Sequence, residues 1–303
     1  MRLREDPLIP RAITGMLQCS MRQKRRQISG AALQRLILLP ALLVTSSVGV
    51  AAQQTKTSEA FNNYVTQAET RIHQERASSF LRFEALPAEQ KNEVIRRLKQ
   101  GEIVIEKEGE TPQQIAEGLI HDWIGVVFIP GAAIGQVVSL IRDYDHSARY
   151  YSPDVLESRL VSGKGNDLHV FMRLQKRKFI TVVLDTEYDV HYDRIDAAHQ
   201  YSISRSTRVS EIADPGTPSE HALPSGHDHG FMWRLNSYWE FEQAPDGVFV
   251  QCEAISLTRD IPTGLALMIG PFVNSIPRES LQFTLDATRT AVSGKTSTLK
   301  KPD

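Results

Sequence analysis

The feature that most constrains this chain is a run of six consecutive segments in which apolar and polar residues alternate, followed by one long helical segment. The alternating segments fall at about 155–162, 167–176, 179–194, 198–212, 230–243 and 248–259. A period of two places every second side chain on one face of a strand, so each segment reads as a strand with one covered face. Gly163-Lys164-Gly165-Asn166 links the first two, and Asp246-Gly247 is a hairpin signal between the last two. Strands joined by such turns form an antiparallel meander, which must bury one face against another layer. The final segment, Pro262 to Val292, is the cover that the order of elements offers.

Upstream, the period changes. Phe61, Tyr64, Val65, Ala68 and Ile72 recur at helical spacing, as do Val94, Ile95 and Leu98. Leu86-Pro87-Ala88-Glu89 starts the second of these helices and Gly101 ends it. Residues 53–101 therefore read as a helical extension packed on the domain C-terminal to it, with an exposed interaction module as the alternative. From Glu102 the runs EIVIE and IGVVFI are β-branched and read as strands. Pro130-Gly131 breaks the second, and Ile134, Val137, Val138 and Ile141 mark a short amphipathic helix.

The first 52 residues have the pattern of an export signal. MRQKRR at 21–26 is a basic stretch, LILLPALLV at 36–44 is an apolar core of signal length, and Val50-Ala51-Ala52 supplies small residues before a cleavage site. Cleavage is expected near Ala52–Gln53, with Met21 as the start that gives the signal ordinary proportions. An uncleaved anchor is the alternative, although the apolar run is short and broken by proline. The mature protein is thus expected in the periplasm or outside the cell. Of the two cysteines, Cys19 lies in the signal, and Cys252 sits in an alternating strand as a buried filler. The last residues, 293–303, form a polar tail expected to be disordered.

The order of elements from 102 to 292 is an α+β arrangement in which a curved antiparallel sheet grips a long C-terminal helix. HDWIGVVFIPGAAIGQVVSLIRDYDHSARYYSPDV (121–155) and ISLTRDIPTGLALMIGPFVNSIPRESLQFTLDATRTAV (255–292) resemble the opening and closing elements of the START-like, or SRPBCC, superfamily with its helix-grip fold. That resemblance implies an apolar cavity between sheet and helix that holds a lipid or another hydrophobic small molecule. It carries no catalytic signature.

Face by face, Leu168, Val170, Met172 and Leu174 point inward, as do Ile180, Val182, Leu184, Thr186, Tyr188, Val190 and Tyr192. On the fifth segment Phe231, Trp233, Leu235, Ser237, Trp239 and Phe241 share the inward side; on the sixth, Val248, Val250, Cys252, Ala254, Ser256 and Thr258 do so. On the fourth segment Tyr201, Ile203, Arg205, Thr207 and Val209 share a side that is read as inward, which puts a charge among apolar neighbours. Arg205 would then meet a ligand carboxylate or phosphate, or Glu253, or an inward tyrosine, unless the register is one residue out. The expected ligand-binding set is Tyr188, Tyr192, Arg205, Trp233, Leu235, Leu265, Met268, Ile269, Phe272 and Ile276.

Leu265, Met268, Ile269 and Phe272 form one helical stripe, while Gly264, Gly270, Pro271 and Pro277 weaken the helix that carries it. The segment reads either as a gate able to dip into a bilayer or as the buried first turns of the helix, with a bend or restart expected at Pro277. The 213–230 excursion holds His221, His227, Asp228 and His229, a weak metal pattern more simply read as a polar loop. A cyclase- or hydrolase-type enzyme would need those histidines to face the cavity. No P-loop, dinucleotide fingerprint or nucleophile elbow occurs, so no cofactor, metal or catalytic residue is expected. The net charge of −1 gives no general attraction for nucleic acid.

Overall fold

The computed structural model describes the backbone of residues 41–178, 180–224, 226–260 and 266–294. Side chains are described from residue 56 onward, except at 261–274 and the few other positions outside the described set. The sheet belongs to the compact unit that begins at Gly49. The elements are α1 (Ala41–Ser78), α2 (Ala88–Lys99), β1 (Val104–Lys107), β2 (Gln113–Ile115), β3 (Gly118–Pro130), α3 (Ile134–Arg142) and α4 (Ser147–Tyr150), then seven strands and a helix. These are β4 (Val155–Lys164), β5 (Asp167–Arg177), β6 (Thr181–Arg194), β7 (His199–Ala213), β8 (His221–Ala222), β9 (Arg234–Ala244), β10 (Gly247–Arg259) and α5 (Ala266–Val292).

The sheet is antiparallel throughout, in the order β1-β3-β10-β9-β7-β6-β5-β4, with β2 on β3 and β8 on β7. The early strand β3 lies beside the last strand β10 in an unbroken register from Gly118↔Arg259 to Pro130↔Gly247. That pairing brings α5 back over the sheet. Gly125, in the middle of β3, makes the close approach possible: a Cβ there would lie 2.5 Å from Leu285 Cδ1. The β9–β10 turn is equally tight, since a Cβ on Gly247 would lie 2.3 Å from the Ile129 carbonyl oxygen.

The sheet is covered on both sides. The inner face packs on α3 and α5 through Trp123, Val127, Ile129, Val137, Val138, Trp239, Phe241, Val250, Leu281 and Leu285. The outer face is covered by the N-terminal helices. Phe61, Val65, Ala68 and Ile72, one helical stripe of α1, pack on Ile120, Tyr238, Ile255 and Leu257. Val94 and Leu98 of α2, with Phe80, Leu81 and Phe83 before it, pack on Val126, Phe128 and Phe249. Burial on both faces explains why β3 reads as one continuous apolar run rather than an alternation.

Two expectations are corrected by this arrangement. The last helix does not restart at Pro277; it is one helix from Ala266 to Val292, with Leu281 and Leu285 buried beyond the proline. The inward face of β7 is also the opposite of the one expected. Ser202, Ser204 and Ser206 pair with Tyr192, Val190 and Tyr188 on the inner side, while Tyr201, Ile203 and Arg205 face outward. A bulge beside Tyr188 then shifts the register, so Val209 falls opposite Thr186. Ile203 is apolar because α1 covers it, not because it lines the inner face. The apolar signal of β7 therefore marks its outer side.

Candidate functional site

Alternate residues of five neighbouring strands build a band across the inner face. His121 and Trp123 of β3 lie opposite Ser256 and Ala254 of β10. Those two lie opposite Leu235 and Ser237 of β9. Ser237 is followed by Ser204 of β7, and Ser204 and Ser206 by Val190 and Tyr188 of β6. The band thus carries His121 and Trp123 at one end, Val190 and Tyr188 at the other, and small or hydroxyl side chains with Leu235 between them.

One end of the inner face is filled. Trp239 stacks near Phe241, Val250 and Cys252 are buried beside them, and Tyr144 reaches in to bond Tyr192 through their hydroxyls at 2.7 Å. Tyr151 bonds Thr288 of α5 at 3.0 Å. Burial pushes the Tyr144 and Tyr188 phenols up to about 12 and holds Tyr192 well above its ordinary value, so all stay neutral. The band differs. Leu235, Ser237, Ala254, Ser204 and Ser206 remain half-accessible although they lie on central strands. Ala254 is flanked on its own strand by buried Cys252 and buried Ser256. Ala254 is thus more accessible than either neighbour on its own face, unlike the tightly covered end at Trp239.

The expected site residues divide between the two faces. Tyr188, Tyr192 and Leu235 are on the inner face, but the Tyr192 hydroxyl is already bonded to Tyr144. Ile276 is half-buried in α5. Met268, Ile269 and Phe272 lie on the first turns of α5, with side chains outside the described residues, as Leu265 is altogether. Trp233 is on the outer side: it precedes β9, packs with the α1 cluster and donates its indole N–H to Asp228 at 2.7 Å. Arg205 also lies outside, 47% exposed, bonded to Glu69 of α1 at 2.6 Å. The pair is within water's reach because the serines, not the arginine, occupy the inner side of β7.

The 213–230 loop brings no chemistry to the band. His227 and His229 are exposed, and His229 bonds Glu211 at 2.5 Å. Among the described residues, no group of histidine, cysteine or carboxylate side chains has the spacing to hold a metal.

Sequence reasoning missed two inner residues, His121 and Trp123, because β3 has no alternation to orient them. His121 is fully buried and Trp123 is 8% exposed. Burial alone pushes the His121 imidazole down to about 4, so it is neutral at physiological pH. Among the described residues, His121 Nδ1 and Trp123 Nε1 are buried without a hydrogen-bond partner.

It also missed a polar belt on the outer face. Arg71 reaches Glu253 at 2.5 Å, and Arg76 reaches Glu240 through Nε at 2.9 Å and Nη2 at 2.8 Å. Tyr64 donates to Asp122 at 2.8 Å. These carboxylates are almost wholly buried, Glu240 and Glu253 each at 2% exposure. Burial raises the Asp122 carboxyl to about 7 and pushes Glu253 and Glu240 above their usual range. The belt fastens α1 to the sheet; the apolar stripe of α1 is covered, which removes the exposed face an interaction module would present.

No family model matches the chain, and no curated protein matches it in sequence. Solved structures with a similar backbone course include a STAR-related lipid transfer protein from Xanthomonas axonopodis, 20% identical, with TM-score 0.38, covering 63% of this chain and 98% of that one. A START superfamily protein from Mycobacterium smegmatis is 11% identical, with TM-score 0.40, covering 57% of this chain and 98% of its own. A Streptomyces aromatase/cyclase is 10% identical, with TM-score 0.38, covering 57% and 94%. The strand order, the β3–β10 pairing and the helix laid over the inner face stand apart from these likenesses. By that architecture the chain has an α+β helix-grip fold, with a curved antiparallel sheet closed by its C-terminal helix.

Proposed function

We propose that this is an exported binding protein that holds a hydrophobic small molecule or lipid between the inner face of the sheet and α5. The observation that carries the reading is the contrast along β9 and β10: Trp239, Phe241, Val250 and Cys252 are buried, while Leu235, Ser237 and Ala254 on the same face stay half-accessible. A core meant only to hold the fold would be filled there, because unfilled volume costs stability. Apolar walls with a few hydroxyls are the lining of a small-molecule site. Export is supported by the signal-like pattern of residues 1–52 and is checked by N-terminal sequencing of the protein recovered from the host envelope and medium. Transient membrane contact through the first turns of α5 belongs to the same proposal.

The test is titration with N-phenyl-1-naphthylamine, whose fluorescence rises in apolar surroundings. One saturable site per chain is expected, lost in Ala254→Trp, which fills the space between Cys252 and Ser256. A signal that does not saturate, or that survives this substitution, contradicts the reading.

A further inference from the structure

The two unpartnered atoms on the band specify more than an apolar guest. Buried donors and acceptors are nearly always paired, and leaving one unpaired in the interior is costly. Here two occur two residues apart on the same face of one strand. Trp123 Nε1 is a donor only, so it calls for an acceptor. His121 is more specific. Its Nε2 lies 3.2 Å from Thr258 Oγ1, and that hydroxyl donates to the Arg259 carbonyl at 3.3 Å. Thr258 therefore accepts from Nε2–H, and Nδ1 is left with a bare lone pair that calls for a donor.

One functional group answers both demands: a hydroxyl, which donates one hydrogen bond and accepts others. On the sheet the neighbouring inner positions carry no charge: Ser256, Ala254, Leu235, Ser237, Ser204, Val190 and Tyr188 are neutral, and the buried Asp286 of α5 is paired with Arg289. Lys107, whose Nζ stands 5.7 Å over the Trp123 ring, lies at an exposed position on the edge strand β1. An ionised guest would lose its hydration in the band without a buried counter-charge.

We propose that His121 Nδ1 and Trp123 Nε1 form the polar anchor of the site, and that its ligand is an uncharged apolar molecule bearing a hydroxyl. This rests on the binding reading above. Trp123 gives its N–H to the hydroxyl oxygen, His121 accepts the hydrogen bond of the hydroxyl, and the apolar body lies along Ala254, Leu235 and Val190.

The experiment is displacement of N-phenyl-1-naphthylamine from the full chain by three probes of one length: 1-dodecanol, its methyl ether and dodecanoate. The alcohol should displace about tenfold better than the ether, the worth of about one buried hydrogen bond. It should also outcompete the carboxylate. In His121→Leu the advantage of alcohol over ether should shrink to less than about threefold, because the ether lacks only the hydrogen bond given to His121; in Trp123→Phe alcohol and ether should both displace less well, since either oxygen can accept the indole N–H. Equal displacement by alcohol and ether in the unaltered protein would overturn the proposal while leaving hydrophobic binding intact; the two atoms would then be held by water. Preference for dodecanoate, or a preference for alcohol over ether that survives His121→Leu, would also overturn it. Failure of the fluorophore to bind would remove the binding reading and this proposal together. The alcohol–ether comparison needs no variant, so it stands even where a substitution impairs folding.

Discussion

Arg76 gives the sharpest test of how the N-terminal helix is held. Its guanidinium donates twice to Glu240 Oε1, at 2.9 and 2.8 Å, and lies 4.0 Å from the centre of the Tyr201 ring. Glu240 has one further partner, Gln251, at 3.3 Å. Arg76→Met keeps much of the length of the side chain and removes the charge. Breaking a buried pair in this way costs about 3–5 kcal/mol, because the remaining charge has neither water nor counter-ion. Burial already raises the Glu240 carboxyl, and Arg76 opposes that rise. Without Arg76 the carboxyl takes up a proton more readily, so the loss should be smaller at pH 5 than at pH 8. Arg76→Met combined with Glu240→Gln leaves no buried charge and should recover most of the loss, to within about 1–2 kcal/mol of the unaltered protein. Urea unfolding at both pH values gives these numbers. The thermal midpoint should fall by about 2–4 °C for each kcal/mol. A loss below about 1 kcal/mol in the single variant, or a double variant no better than the single, would refute the idea that a buried ion pair fastens α1.

Three further outcomes rest on single side chains. Asp122 ionises at about 7 in the folded protein against an ordinary 3.8, chiefly through burial, so its protonated form is the one the fold favours. Its contribution is full below the unfolded value and is lost as pH rises through about 7; Asp122→Asn should flatten the fall in urea midpoint between pH 5 and pH 8. Gly125→Ala should cost about 1–3 kcal/mol in the same assay, since the new Cβ meets the buried tip of Leu285. Arg205→Ala should cost no more than about 1 kcal/mol and leave fluorophore binding unchanged, because the Arg205–Glu69 pair is exposed and lies on the far side of the sheet from the band.

Much of the fold was legible because the second half of the chain keeps a strict period. Residues 168–174, 186–192, 235–241 and 248–258 alternate, and the structure turns the expected side of each inward. The site was less legible, for a physical reason. Where α1 and α2 cover the outer face, both sides of a strand are apolar and the pattern loses its sign. On β7 it reverses: Tyr201 and Ile203 are apolar for the sake of α1, while serines face the inner space. Arg205 was misplaced by that reversal, and Trp233 by the strand's beginning one residue after it. On β3 there was nothing to read, since twelve of its thirteen residues are buried. His121 and Trp123 carried a signal, two hydrogen-bonding side chains within an apolar strand, but it acquires meaning only once their free atoms are known. The expectation for Leu265 lies outside the described residues, as do those for the Met268, Ile269 and Phe272 side chains.

Whether an apolar molecule occupies the inner face is tested most directly by a native mass spectrum of the protein purified from a lipid-containing host, followed by solvent extraction. One apolar adduct per chain is expected, uncharged and hydroxyl-bearing on extraction, and lost in Ala254→Trp. A clean mass for the bare polypeptide, with nothing apolar in the extract and no uptake of 1-dodecanol on addition, would contradict the binding function.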